Sequence, residues 1–326
     1  MRREFFCFRA IRYKKTGSIS VFVLWAVAVT TMLSVGIGYR SYAELRSFRY
    51  FKDRFNGRYL VRAGFIRACD ILRKDYRALA GCDSLLEDWA GDDIKFQEEH
   101  GNCRIKILDQ DRKINLNYFA REAKEDSYSL NILISLLTDE LAYGLIDWID
   151  SDGMVSGMLG AESDSYYKFV DCQSRDSELK TIQELRFIKG YSDYMDIGEL
   201  SEKLTVDTGD NKININTVQP EVLYSLGLSD VLITRLLDYR ASGNYFRTLP
   251  LYIADIFPEF RGSDVEVEWE NIKKYFKVDS QYFRISVEVE TNRGLKRYAQ
   301  GLVRRYGSSL KVVYFWDNLS VDAIER

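Results

Sequence analysis

Hydrophobic and polar positions along the chain fall into three successive patterns. Ser18 to Gly38 contains no charged side chain across twenty-one residues, with Lys14 and Lys15 before it and Arg40 just after. At about 1.5 Å per residue, such a run spans the hydrocarbon core of a bilayer as one helix. Beyond it, Leu45, Phe48, Phe51, Phe55, Tyr59, Ala63 and Ile66 recur at spacings of three and four, with Arg, Lys and Asp between them. This predicts that the helix continues and packs its apolar stripe under a soluble domain. Ile105–Leu108 and Ile114–Leu116 read as two short strands joined by a turn over Asp109–Lys113. From Tyr118 to about Pro258 the period is mainly helical. Residues 131–148 carry Ile132, Leu133, Leu136, Leu137, Leu141, Leu145, Ile146 and Trp148. Thr181 and Glu184 have capping-box spacing ahead of Leu185, Phe187 and Ile188. Thr217, with Pro220 in the first turn, opens a helix through Val222, Leu223 and Leu226, and 232–239 forms another. The last pattern alternates. Phe283, Ile285, Val287 and Val289 point one way while Arg284, Ser286, Glu288 and Glu290 point the other. Asn292–Gly294 turns the chain, Leu295–Tyr306 returns as a hairpin partner, and Leu310–Trp316 is a third strand.

The expected fold is therefore α+β: a long N-terminal helix packed on an antiparallel sheet, with a large, mainly helical block inserted into it. The predicted divisions are a leader over 1–17, a transmembrane segment over 18–38, helix and first strands over 39–117, the helical block over 118–258 and the remaining strands over 259–326. At 326 residues the chain can bury roughly two cores.

Charge sharpens this picture. The net charge of −3 conceals a leader in which six basic side chains face one acid, Glu4, so residues 1–17 carry +5 and the remainder −8. A basic flank before the apolar run places the N-terminus in the cytoplasm and the body outside. An acidic body speaks against nucleic acid as a partner and is compatible with cation binding. Gly17 stands between charge and membrane, which fits a peptidase that cuts on the cytoplasmic side and leaves the apolar helix as the new N-terminus; an uncleaved signal anchor is the alternative. Of five cysteines, Cys7 lies in the leader, while Cys69, Cys82, Cys103 and Cys172 lie in the body with no CxxC spacing. Cys82 and Cys103 flank a loop-like acidic stretch and form the expected disulfide.

The richest chemistry follows a helix. Asp147, Asp150 and Asp152, then Gly153, Gly157, Gly160, Glu162 and Asp164, combine hard oxygen ligands with a flexible backbone. That composition suits calcium, although the spacing is not that of an EF-hand, and no His nearby suggests zinc. Asp171 and Asp176 are weaker further candidates.

Four stretches resemble the GspK-type minor pseudopilins, protein K of the type II secretion system. They are Gly17–Phe22; Ile114-Asn115-Leu116-Asn117; Leu145–Gly153 with Gly160-Ala161-Glu162; and Lys212–Leu223. The resemblance implies a pilin-like fold whose inserted block is of the SAM or helix-hairpin-helix kind. It further implies cleavage by prepilin peptidase after Gly17, methylation at Ser18, and calcium on the acidic loop. The expected partners are minor pseudopilins I and J, other pseudopilus and inner-membrane assembly components, and the inner membrane itself. Ser163, between Glu162 and Asp164, departs from the family's usual Glu-Asp pair. Ordinary pilin-like subunits carry Glu at the fifth mature position; here that position is Phe22. A buried carboxylate without a partner amine above it is costly, so Phe22 suits the subunit at a filament tip. The implied role is a non-enzymatic cap or initiator of the pseudopilus, with its soluble part in the periplasm, working in export of folded proteins across the outer membrane.

Two other readings compete. Residues 213–247 resemble a helix-hairpin-helix of a DNA receptor, with Gly227 in the hairpin and Arg235 and Arg240 in the second helix. An envelope hydrolase would use Asp147, Asp150 or Glu162 as acid and base. The single His, His100, near Cys103, reads as a surface residue.

Overall fold

The computed structural model describes residues 17–79, 81–91, 93–169, 174–192 and 194–319. Cys7, Asp171 and Cys172 lie outside the described residues. The chain divides into two compact units after Phe55.

The first unit contains the N-terminal part of helix α1 (Gly17–Leu79). Its apolar side chains are exposed, Phe22 and Trp25 among them, and so are Leu45, Phe48, Phe51 and Phe55. Among the described residues, this helix alone is long and apolar enough to cross a membrane.

The second unit begins with the remainder of α1. Strands β1 (Ile94–Glu98) and β2 (Gly101–Asp109) follow as a hairpin. The chain then enters a block made of β3 (Ile114–Asn115), α2 (Leu116–Glu122), α3 (Ser127–Leu136), α4 (Asp139–Ile149), α5 (Ile197–Lys203), β4 (Leu204–Thr205), β5 (Ile213–Asn214), α6 (Pro220–Ser225), α7 (Asp230–Ala241), α8 (Asp264–Ile272) and β6 (Phe276–Lys277). It returns to the sheet through β7 (Tyr282–Thr291), β8 (Lys296–Tyr306) and β9 (Ser309–Leu319). The five-stranded sheet has the order β1-β2-β7-β8-β9, antiparallel throughout.

The alternation over 283–289 holds: Phe283, Ile285, Val287 and Val289 are buried against α1 together with Ile105, Ile107, Ala299 and Val303. The face of α1 that meets them is not the predicted stripe. Leu60, Val61, Phe65, Ala68, Cys69 and Leu72 are buried, whereas Tyr59 and Ile66 are 59% and 60% exposed. Two glycines choose the face. A Cβ on Gly64 would lie 2.7 Å from both Cys103 Sγ and Val287 Cγ1, and one on Gly57 would lie 2.6 Å from Arg297 Cδ. The helix can approach the strands closely only on that side. Phe65 then reaches the sheet beside Gly301 and meets Phe315 edge-on, with ring centroids 4.7 Å apart.

Helix boundaries in the block follow from capping side chains. The Asp126 carboxylate accepts from Tyr128 N and Ser129 N at the start of α3, and Thr138 Oγ1 accepts from Leu141 N at the start of α4. The expected single helix over 131–148 is thus two, broken where Leu137 turns extended and Thr138 caps anew. The capping box at Thr181 and Glu184 is present, opening a 3-10 turn over Ile182–Phe187. Thr217 does not cap α6. Its hydroxyl donates to Asp109 Oδ2 at 2.6 Å, and Gln219 holds the cap position before Pro220.

Three further expectations change. Ile114–Leu116 is no hairpin partner of β2, because β3 ends at Asn115 and pairs in parallel with β4. The stretch between Cys82 and Cys103 is not all loop, since it contains β1. Residues 259–326 are not strands only, because α8 puts Trp269 and Ile272 into the helical core. The disulfide is also corrected. Cys82 and Cys103 are free thiols. Cys82 Sγ donates to the Phe246 carbonyl at 3.1 Å, while Cys103 sits in the sheet core against Gly64.

The asparagine-rich motifs act as staples. Asn117 accepts from Leu179 N and donates to its carbonyl, which ties α2 to the start of the 3-10 turn. Asn214 donates to Asp83 O and Ser280 Oγ, and Asn216 exchanges two hydrogen bonds with the Phe246 backbone. Each satisfies backbone groups that would otherwise be buried unpaired.

Candidate metal centre

Helix α4 presents Asp147 on its last turn and ends with Asp150 at its C-cap. Asp147 is fully buried. Its Oδ1 accepts from Ser156 N at 2.9 Å and its Oδ2 from Ala161 N at 2.6 Å, so the loop folds back over the carboxylate. Gly160 is required there, since a Cβ would collide with Asp147 Oδ2. The fold-back delivers Glu162, which is 4% exposed and whose Oε1 has no hydrogen-bond partner. Asp147, Asp150 and Glu162 each offer an oxygen within 4.8 Å of the others. Two oxygens on one calcium ion at about 2.3–2.6 Å can be no farther apart than about 5 Å, so the triad fits a single hard cation. Burial, with the Asp147 and Asp150 charges adding to it, pushes the Glu162 carboxyl up to about 7. Burial also raises Asp147, against the hydrogen bonds from Ser156 and Ala161. These carboxylates are short of positive charge, and a divalent ion would relieve that shortage.

The five expected ligands do not all converge. Asp152 is exposed and pairs with Lys124 at 2.8 Å, and Asp164 points to solvent outside the triad. Ser163 accounts for part of this. Its hydroxyl lies 2.6 Å from Ser174 Oγ and accepts from Ser174 N, pinning the segment that follows. Asp176 accepts from Ser174 Oγ and is likewise outside the triad.

A second acidic group had no signature in the sequence. Asp75 on α1, with Asp83 and Glu87 in the segment after it, brings three carboxylates within 4.8 Å of one another. Arg305 of β8 fills this group. It pairs with Asp83, reaches Asp75 Oδ2 at 3.3 Å and donates to the Ser280 carbonyl at 2.9 Å. Its guanidinium also lies over the rings of Phe283 and Tyr76. Glu87 accepts from Ser84 N and Trp89 Nε1. Burial, with Asp75 and Asp83 close by, lifts Glu87 from 4.5 to about 8, and burial raises Asp75 as well. Both shifts favour the protonated form of this pair over the doubly charged one.

A group raised in the folded state stabilises below its unfolded value and loses that contribution as pH climbs through the folded value. Stability in urea should therefore fall between about pH 4.5 and about pH 8. In Glu87→Gln, whose amide can still donate to Asp75, the decline above about pH 7 should flatten. A wild-type profile that is level or rises over this window would contradict a raised Glu87.

The rival chemistries find little footing. Arg235 pairs with Glu259 at 2.9 Å, and Arg240 is spent internally, donating to the Val218 carbonyl at 2.7 Å. Burial pushes the Cys103 thiol up to about 12, unlike a nucleophile.

A long N-terminal helix, apolar and long enough at its start to cross a membrane, and an antiparallel sheet that packs on its later turns and carries an inserted helical block define a pilin-like α+β fold. The family model for type II secretion system (T2SS) protein K matches residues 112–196, from β3 past the acidic loop. A type II secretion system protein K of Pseudomonas aeruginosa PAO1 is 27% identical over 233 residues, covering 66% of this chain and 69% of that protein. A chain in the crystal structure of the GspK-GspI-GspJ complex from enterotoxigenic Escherichia coli superposes with a TM-score of 0.63 at 20% identity, over 83% of this chain and 99% of that one. That likeness concerns the fold. In sequence, then, the chain is similar to protein K of the type II secretion system, most directly over residues 112–196.

Proposed function

We propose that the chain is the minor pseudopilin that caps or initiates the pseudopilus tip. Prepilin peptidase would remove residues 1–17 and methylate Ser18, leaving α1 anchored in the inner membrane with the soluble unit in the periplasm. The observation that carries this reading is the uncovered apolar face of α1. Tyr59 and Ile66 in the second unit, and Leu45, Phe48, Phe51 and Phe55 in the first, are exposed although they recur at helical spacing. An exposed stripe of that kind calls for other helices. The companions would be minor pseudopilins I and J of the same system. Phe22 supports the tip, because a subunit with none above it gains nothing from a carboxylate in the membrane. The inserted block, between β2 and β7, is also bulky for repeated stacking along a shaft. Asp147, Asp150 and Glu162 would hold one calcium ion, which cross-links α4 to the loop that folds over it.

Full-length chain co-expressed with companions I and J and extracted in detergent should elute with both. Ile66→Glu combined with Tyr59→Glu should abolish co-elution while leaving thermal unfolding near wild type, since both side chains are exposed. Undiminished co-elution of that double variant would contradict the assigned face.

A further inference from the structure

Lys124 lies in the turn between α2 and α3, apart in sequence from every acidic residue of the loop. Its ammonium stands 2.5 Å from Asp150 Oδ2 and 2.8 Å from Asp152 Oδ2. Asp150 therefore belongs to two groupings at once, the triad with Asp147 and Glu162 and the ion pair with Lys124. The triad has an independent mark of a ligand site, the buried and unpartnered Oε1 of Glu162. Lys124 does not hydrogen-bond to that atom, so it neutralises only the outer half of the group. The lysine side chain is 31% exposed, on a flexible four-carbon stem, and can swing into solvent without opening the core.

We propose that Lys124 is a resident counter-ion that a divalent cation must displace from Asp150, so that this lysine sets how tightly the centre binds. The inference rests on the calcium reading above. A cation ligated by Asp150 would face an ammonium a few ångströms away, and in a partly exposed site their repulsion opposes binding. The ammonium keeps Asp152 as its remaining partner when it leaves Asp150. That gives Asp152, which is outside the triad, a role as a parking site. When no ion is bound, the lysine limits the repulsion among Asp147, Asp150 and Glu162.

The test is calcium titration by calorimetry on the full-length chain in detergent, with thermal unfolding in calcium and in EDTA as a second readout. Lys124→Gln should bind calcium at least about fivefold more tightly than wild type. It should also unfold at a lower temperature in EDTA, which widens the gap between the two buffers. Lys124→Arg, which keeps the charge, should stay near wild-type affinity and show that the effect is not one of folding. Wild-type binding with equal or weaker binding by Lys124→Gln overturns the counter-ion role and leaves the calcium site standing. Silence of the wild type with binding by Lys124→Gln supports it in a stronger form. Silence of all three overturns both.

Discussion

Replacement of Arg305 by methionine is expected to lower the stability of the soluble unit by about 3–5 kcal/mol. Arg305 is 4% exposed, and it supplies the positive charge for a group in which Asp75, Asp83 and Glu87 converge. Methionine fills similar volume and keeps contact with Phe283 and Tyr76, so the loss is chiefly that of charge and of the hydrogen bond to Ser280 O. Asp83 would remain buried with only the Ser280 amide as donor, and Ser280 also receives Asn214 and donates to Asp109. This one hub joins α1, β8 and the segment entering β7, so its failure should free the helix end and the inserted block together. Adding Asp83→Asn to the methionine variant should recover part of the loss, because one uncompensated charge disappears. Equilibrium urea unfolding measures both. A change below about 1 kcal/mol for Arg305→Met would show that the carboxylates are already neutral and that the ion pair contributes little.

If Asp147, Asp150 and Glu162 hold calcium as proposed, its withdrawal is expected to have the second large effect. At a hundredfold excess over its dissociation constant, a ligand that binds only the folded state adds about 2.7 kcal/mol. For a domain of this size that corresponds to a rise in melting temperature of roughly 5–10 °C. EDTA should remove it. Asp150→Asn with Glu162→Gln should melt at the same temperature with and without calcium, because two of the three converging carboxylates are lost. Asp152→Ala should retain a calcium-dependent rise at saturating calcium, since Asp152 lies outside the triad, but should need more calcium to reach it because Lys124 loses its second partner. A calcium response that survives the double amide variant would move the site elsewhere; one lost in Asp152→Ala would restore the larger ligand set.

The elements most legible in the sequence were those with strict periods. The uncharged run from Ser18, the alternation over 283–289 and the Asn292–Gly294 turn each have one reading, because a period of two or an unbroken apolar run admits few others. The packing face of α1 was not legible. Two apolar stripes run along it, and the choice falls to Gly57 and Gly64, whose value is a missing side chain rather than a hydrophobic one. Of the five acidic residues that the sequence offers as ligands, Asp147, Asp150 and Glu162 converge, while composition gives Asp152 and Asp164 equal weight. What separates them is the fold-back over Asp147, set by backbone amides of Ser156 and Ala161 that carry no sequence signal. Lys124 and the Arg305 hub were invisible for a related reason. Their acidic partners are 26 to 230 residues away, brought near only when the block and the sheet are assembled. The Cys82–Cys103 pairing failed because proximity in sequence was taken for proximity in space across a segment that holds a strand.

The claim on which the rest depends is that this is a pilin-like subunit processed at the cytoplasmic side of the membrane, and one mass measurement tests it. The full-length chain should be expressed with and without prepilin peptidase and its N-terminus read by mass spectrometry. Loss of residues 1–17 with a methylated Ser18, only when the peptidase is present, is the expected result. An intact Met1 terminus in both strains would contradict it, leaving α1 as a plain signal anchor.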